Sequence, residues 1–163
     1  MSVALRIRNA TPADVTLILS FIRELAEYEK LVHEVVATEA DLRESLFGAH
    51  PAAECLIVES SGKPGGFALF FHNFSTFLGK PGLYLEDLYV KPELRGQGVG
   101  RRLLAHLARL AVSRGCERFE WAVLDWNEPA IRFYQGLGAR MLEEWRINRV
   151  TGDALAKLAA EAD

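Results

Sequence analysis

Two adjacent carboxylates, Glu86 and Asp87, sit inside an apolar, β-favouring run at residues 83–90. Neighbouring residues of a strand point to opposite faces, so at least one of the pair faces a buried layer. A buried charge is costly unless it is paired or used, which makes these side chains candidates for an acid or a base. After Lys91-Pro92 the chain becomes basic and glycine-rich, Arg95-Gly96-Gln97-Gly98-Val99-Gly100-Arg101-Arg102, and then turns into an amphipathic helix. A helix start offers backbone N–H groups and a positive dipole end, and three arginines around it favour a pyrophosphate. A carboxylate beside a phosphate cradle points to an enzyme that uses a phosphorylated cofactor.

Other phosphate loops fit less well. A dinucleotide fingerprint needs G-x-G-x-x-G, and Arg101 stands where its third glycine would allow close helix–strand packing. The P-loop run G-x-x-x-x-G-K-[ST] is absent. A plain flexible turn whose glycines only permit positive φ remains open on spacing alone. Cys55 and Cys116 lack metal spacing and lie in apolar runs, where buried reduced thiols are expected. The four histidines are scattered, so no metal site is expected.

Several elements must position these groups. A strand at 3–8 leads to Thr11-Pro12-Ala13-Asp14, a helix start with Thr as N-cap and an acidic third residue. Leu17, Ile18, Phe21, Ile22 and Leu25 then form a helical stripe. Thr38-Glu39-Ala40-Asp41 opens a shorter helix ending at Gly48. Strands at 54–59 and 66–74 are joined by a turn at 60–65, and the strand at 83–90 follows. Val99, Leu103, Leu107 and Leu110 give the helix after the glycine loop its inner stripe. A strand at 118–124 precedes Asp125-Trp126-Asn127-Glu128-Pro129, where Asn127 can cap a helix running to Gly136 or Gly138. A strand at 140–150 and a helix from Asp153 close the chain. The order β-α-α-β-β-β-α-β-α-β-α predicts a mixed α/β sheet with helices on its faces.

A chain of 163 residues fits one domain, 1–163, with an ample core. The net charge of −3 provides no global basic field, which argues against nucleic acid as the main partner. No apolar run reaches the ~20 residues that span a bilayer, so no membrane partner is expected. The start of the chain lacks a signal-peptide apolar region, and with reduced thiols this suggests a cytoplasmic protein.

The run Arg95-Gly96-Gln97-Gly98-Val99-Gly100 resembles the acyl-CoA-binding signature of the GNAT acetyltransferase superfamily. Leu83-Tyr-Leu-Glu-Asp-Leu-Tyr-Val90, Trp126-Asn-Glu-Pro129 with Phe133-Tyr134, Arg23-Glu-Leu-Ala-Glu-Tyr-Glu29, Thr38-Glu39 through Phe47-Gly48 and His50-Pro51 are similar to its spermidine/spermine (diamine) acetyltransferase branch. That branch also contains thialysine acetyltransferases, and the similarity covers nearly the whole chain. It implies the GNAT fold, a mostly antiparallel twisted sheet with helices on both faces, with acetyl-CoA as co-substrate. Implied coenzyme contacts are Leu88, Tyr89 and Val90, then Arg95, Gly96, Gln97, Gly98, Val99, Gly100 and Arg101, and finally Asn127, Glu128, Pro129 and Ala130. Close relatives often carry a smaller polar residue at the position of Arg101.

Acetyl transfer to an amine requires an ammonium of pKa near ~10.4 to lose a proton, at a cost of roughly 4–5 kcal/mol at neutral pH. Glu86, if buried, is a carboxylate of raised pKa suited to accept it, and the resemblance implies that role. A carboxylate tied to backbone donors or to an arginine is the structural alternative. Asp87, expected on the other face, is assigned a structural or substrate-orienting role. By periodicity Tyr134 reads as a core-edge aromatic, with Ala130, Phe133 and Leu137; the resemblance implies the general acid for the departing thiolate. Asn127 is a helix cap and can contact the coenzyme as well.

The acceptor side rests on resemblance and charge. Glu24, Glu27, Glu29, Glu34, Glu39, Asp41 and Glu44 outnumber Lys30 and Arg43, which suits either a polycationic amine or two solvated helix faces. The diamine branch implies acceptor positions at Tyr28, Glu29, Glu120, Trp121, Ala122 and Glu144 (or Glu143), with Glu86 at the reacting amine. The loop at 60–66 is shorter than in the best-known members, and residues near Glu143 are displaced by about one position. The expected activity is direct acetyl transfer, in a ternary complex, to a primary amine of polyamine or thialysine type. Acetylation of an amino-acid or peptide amine is the alternative enzyme, and a non-catalytic CoA-binding sensor the alternative from another class. Family members commonly form homodimers, so a homodimer is expected by resemblance.

Overall fold

The computed structural model describes residues 4–162 and divides into two units, Met1–Leu124 and Asp125–Asp163. The first unit holds a five-stranded sheet in the order β1-β2-β3-β4-β5: β1 Leu5–Asn9, β2 Glu54–Ser60, β3 Lys63–Ser75, β4 Lys80–Val90 and β5 Phe119–Trp121. β1 to β4 pair antiparallel, and β4 pairs with β5 in parallel. Three helices accompany it, α1 Val15–Tyr28, α2 Glu39–Phe47 and α3 Val99–Ser113. The second unit contains α4 Glu128–Gly136 and α5 Gly152–Ala159. This is the mixed, mostly antiparallel sheet with flanking helices expected from the sequence.

Local chemistry accounts for most boundaries. Thr11 and Asp14 form the predicted cap, the Asp14 carboxylate accepting from Thr11 N at 2.8 Å. Asp14 also receives both guanidinium nitrogens of Arg8, at 2.8 and 2.9 Å, and this pairing holds its carboxyl down at about 2. Thr38 caps α2 with a reciprocal bond to Asp41, and Gly48 ends that helix. The hairpin from β2 to β3 is tighter than predicted. β2 runs to Ser60 and β3 starts at Lys63, because Ser61 (φ 51°) and Gly62 (φ 78°) turn the chain alone. The predicted start of the first strand at Val3 lies outside the described residues.

Each face of the sheet buries a helix stripe. On one, Val15, Ile18, Phe21, Leu42 and Leu46 pack with Cys55, Ile57, Phe67 and Tyr89. Phe21 stacks on Phe67 at 5.7 Å between centroids and meets Tyr89 at 5.9 Å, which fixes α1 across β3 and β4. On the other, Leu56, Val58, Ala68, Leu83 and Leu85 are buried, as are Val99, Leu103 and Leu107 of α3. Cys55 and Cys116 are free and buried, and burial, chiefly, pushes the Cys55 thiol up to about 12. That thiol is no nucleophile at neutral pH.

Two predicted strands change. The strand at 118–124 shrinks to Phe119–Trp121. The strand at 140–150 does not form among the described residues, although Met141, Trp145, Ile147 and Val150 carry apolar side chains there. A strand needs a ladder partner, and the described residues of that unit form only helices and turns.

Candidate active site

The glycine loop occupies the junction between β4 and α3. Gly96 (φ 74°) and Gly98 (φ 78°) lie in the left-handed region, and a Cβ on either would project into open space. The first bond of α3 runs from Arg102 N to Gly98 O, 3.0 Å. The N–H groups of Val99, Gly100 and Arg101 therefore have no acceptor within the helix and lie at its positive end. Arg101 and Arg102 are exposed beside them, and Gln97 braces the turn by donating to Glu93 O at 2.8 Å. This cradle fits the diphosphate of a coenzyme.

Arg95 occupies a different position from the other loop arginines. Its Nε donates to Val90 O at 2.9 Å, and its guanidinium lies 5.1 Å from the Tyr28 ring and 5.6 Å from the Tyr89 ring. The Tyr89 hydroxyl donates to Glu24 on α1 at 2.7 Å.

Upstream of the loop, β4 carries an irregularity that strict alternation does not anticipate. Leu69 lies opposite Asp87 while Phe70 lies opposite Leu85, so Glu86 is an extra residue, a β-bulge. Leu69 and Phe70 face opposite sides of the sheet, so Leu85 and Asp87 do too. The bulge thus places Asp87, opposite Leu69, on the side of α1. The expectation that Glu86 is the buried carboxylate is corrected, for Glu86 is exposed. Asp87 is the group that burial pushes up, to about 6, with the charges of Glu86 and Glu29 adding to the effect. A slip in the apolar period, from Leu83 and Leu85 to Leu88 and Val90, was the available signal for this bulge.

Beyond the bulge β4 loses its neighbour. The ladder to β5 joins only Leu83, Tyr84 and Leu85 to Phe119, Glu120 and Trp121. Residues 86–90, including Leu88, Tyr89 and Val90, have no β5 partner, while their β3 ladder continues at Ala68, Phe67 and Gly66. The edge of 86–89 away from β3 suits an extended ligand running toward the glycine turn, while Val90 O is taken by Arg95 Nε.

Several predicted acceptor residues belong to one electrostatic neighbourhood. Glu29, at the end of α1, is shifted up by burial and acts on Asp87. Tyr84, which the sequence reading did not single out, lies opposite Glu120, and burial raises its hydroxyl together with the charges of Glu86 and Glu120. Glu29, Glu86, Asp87 and Glu120 therefore form an acidic neighbourhood around the neutral Tyr84 hydroxyl. Trp121 ends β5, and Ala122, expected on the strand, lies past its end and is exposed. Tyr28 is exposed at the last turn of α1.

The remaining predicted residues lie in the second unit. Asn127 is buried and caps α4, its Oδ1 accepting from Ala130 N at 3.4 Å, as expected. Pro129 sits in the first turn, where its missing N–H leaves no helical bond unmade, and Glu128 pairs with Arg132 at 3.3 Å. Tyr134 is partly buried on α4, with its ring 5.5 Å from that of Phe133. Glu144 lies in a turn instead of the expected strand, exposed and 4.0 Å from Arg140.

Comparison with known proteins identifies the family. The family model described as "Acetyltransferase (GNAT) family" matches residues 20–139. Thialysine N-epsilon-acetyltransferase of Sus scrofa is 43% identical, the match covering 95% of this chain and 97% of the relative. L-ornithine N5-acetyltransferase of Arabidopsis thaliana is 36% identical over 92% of this chain and 86% of its own length. The human spermidine/spermine N(1)-acetyltransferase-like protein 1 is 34% identical over 96% of this chain and 24% of its own length. Among solved structures, an integron cassette protein from the mobile metagenome of V. cholerae superposes with a TM-score of 0.80 at 29% identity, covering 98% of each chain. The chain belongs to the GNAT acetyltransferase family, in its spermidine/spermine acetyltransferase-like branch. It is an N-acetyltransferase, and its acetyl donor is acetyl-CoA.

Proposed function

We propose that the chain acetylates a primary amine of a small substrate carrying more than one positive charge, of the polyamine, thialysine or ornithine type. The observation that carries this reading is the acidic neighbourhood of Glu29, Glu86, Asp87 and Glu120, with Asp87 on the α1 side of the sheet. Such a field favours an ammonium group and leaves carboxylates to spare for a second one. Two of the relatives, the thialysine and the ornithine acetyltransferases, are named for substrates of this kind.

The bound coenzyme supplies a thioester carbonyl as the acceptor of the amine's lone pair. The glycine turn and the N–H groups of Val99, Gly100 and Arg101 would hold its diphosphate, and the edge of 86–89 away from β3 its extended arm. Asp87, its carboxyl near 6 and mostly ionised at neutral pH, accepts the proton that the ammonium must lose, directly or through water. Glu86, the bulge residue beside it, relays that proton or holds the amine. Tyr134 returns a proton to the departing sulfur. Burial raises the Cys55 thiol to about 12, which makes it a poor nucleophile and supports direct transfer within a ternary complex.

The chain is read as one domain spanning 1–163, and the family match across 20–139 supports that reading. A homodimer working in the cytoplasm completes the proposal. Among the described residues no helix is long and apolar enough to cross a membrane.

A panel of spermidine, thialysine, ornithine, lysine and simple monoamines, assayed for CoA release from acetyl-CoA, tests the proposal. Dications should exceed monoamines of equal length by at least tenfold in kcat/KM, and Asp87→Asn should remove that preference together with most of the rate. Equal turnover of monoamines would refute the acceptor assignment.

A further inference from the structure

We propose that Arg95 is a positioning residue that ties the coenzyme loop to the acceptor helix, so that Tyr28 contributes to coenzyme affinity without touching the coenzyme. The guanidinium fills the gap between the Tyr28 ring on α1, 5.1 Å away, and the Tyr89 ring on β4, 5.6 Å away. Its Nε is already committed to Val90 O at 2.9 Å, the last residue before the turn. From the other side, the Tyr89 hydroxyl reaches Glu24 on α1 at 2.7 Å. Two turns of α1 are thus joined to the end of β4 through one arginine and one tyrosine. An arginine serving only as an anion ligand has no need of two aromatic faces, whereas a planar cation stacked on both fixes the distance between helix and loop.

The coupling has a direction of consequence. An amine seated near Tyr28 and Glu29 settles the end of α1, which holds Arg95 and with it the geometry of Gly96 to Gly98. Linkage then requires the reverse effect, so that bound coenzyme improves amine affinity by the same factor. The inference rests on the coenzyme and acceptor assignments above.

A double-mutant cycle on CoA affinity, measured by calorimetry on the full chain, tests it with Tyr28→Leu, Tyr28→Phe, Arg95→Lys and Arg95→Lys/Tyr28→Leu. Tyr28→Leu should weaken CoA binding three- to tenfold, whereas Tyr28→Phe, which keeps the ring, should stay within twofold. In the Arg95→Lys background, Tyr28→Leu should change CoA affinity less than twofold. Circular dichroism melts identify any variant that has lost its fold; if Tyr28→Leu unfolds, Arg95→Lys carries the test and should raise the Michaelis constants of both amine and coenzyme, a rise for coenzyme alone overturning the clamp. Unchanged CoA affinity in folded Tyr28→Leu, or fully multiplicative effects of the two substitutions, would overturn the clamp alone. Failure of the unaltered chain to bind CoA would overturn the coenzyme assignment beneath it.

Discussion

Asp87, at the bulge of β4, lies within the field of Glu29 at the end of α1, and each carboxylate is shifted upward in its half-buried setting. Strand β4 and helix α1 are far apart in sequence. Burial first, then the charges of Glu86 and Glu29, raise the Asp87 carboxyl to about 6.

The pH dependence of turnover follows from that pairing. Asp87 accepts a proton only when ionised, so kcat/KM for the amine should rise as pH increases through about 6. Asp87→Asn should lower the rate by ~10²–10⁴-fold and remove that limb of the profile, measured by initial rates between pH 5 and 8. A profile with the limb intact in the variant would assign it to another group.

The same substitution should stabilise the fold. The folded value of Asp87, about 6, lies above its unfolded value of 3.8, so ionisation opposes folding. That penalty is absent below the unfolded value, grows as pH rises toward 6 and is complete above it. Asp87→Asn should therefore melt near the parent at pH 4 and above it at pH 7.

Asp14 has the opposite sign. Arg8, first of all, holds it down at about 2 from 3.8, so its contribution is full above 3.8 and is lost as pH falls toward 2. Asp14→Ala leaves Arg8 with Glu59 alone and removes the cap at Thr11. Urea unfolding at pH 7 should show a loss of roughly 3 kcal/mol, shrinking in acid.

Two glycines offer a matched comparison. Gly62 and Gly98 share φ 78°, and a Cβ on either meets nothing within 4 Å. Alanine at each should cost a similar ~1–2 kcal/mol of stability. Only Gly98→Ala should weaken CoA binding, by tenfold or more, because its Cβ enters the space of the diphosphate. Equal CoA affinity in the two variants would remove the turn from the coenzyme site.

At Gly66 a Cβ would collide with the backbone carbonyl of Tyr89, which cannot move without shifting β4. Gly66→Ala should cost about 1–3 kcal/mol and lower CoA affinity as well, through displacement of 88–90. Thermal melts and calorimetry on the same sample separate the two effects.

Much of this protein was legible in the order of its residues. Thr11 with Asp14, Thr38 with Asp41 and Asn127 before Glu128 are caps made between near neighbours, so spacing alone predicts α1, α2 and α4. The glycine turn into α3 is equally local, since positive φ at Gly96 and Gly98 needs no distant partner. Properties set between remote segments were not legible. Whether residues 140–150 form a strand depends on a neighbour, and the choice between Glu86 and Asp87 depends on the register of β3 against β4. One slipped residue places Asp87 on the side of α1, where burial, with the charges of Glu86 and Glu29, raises its carboxyl. Local chemistry determined the elements and the coenzyme turn, whereas electrostatic character, which depends on burial and on charges brought from elsewhere in the chain, was decided only by tertiary packing.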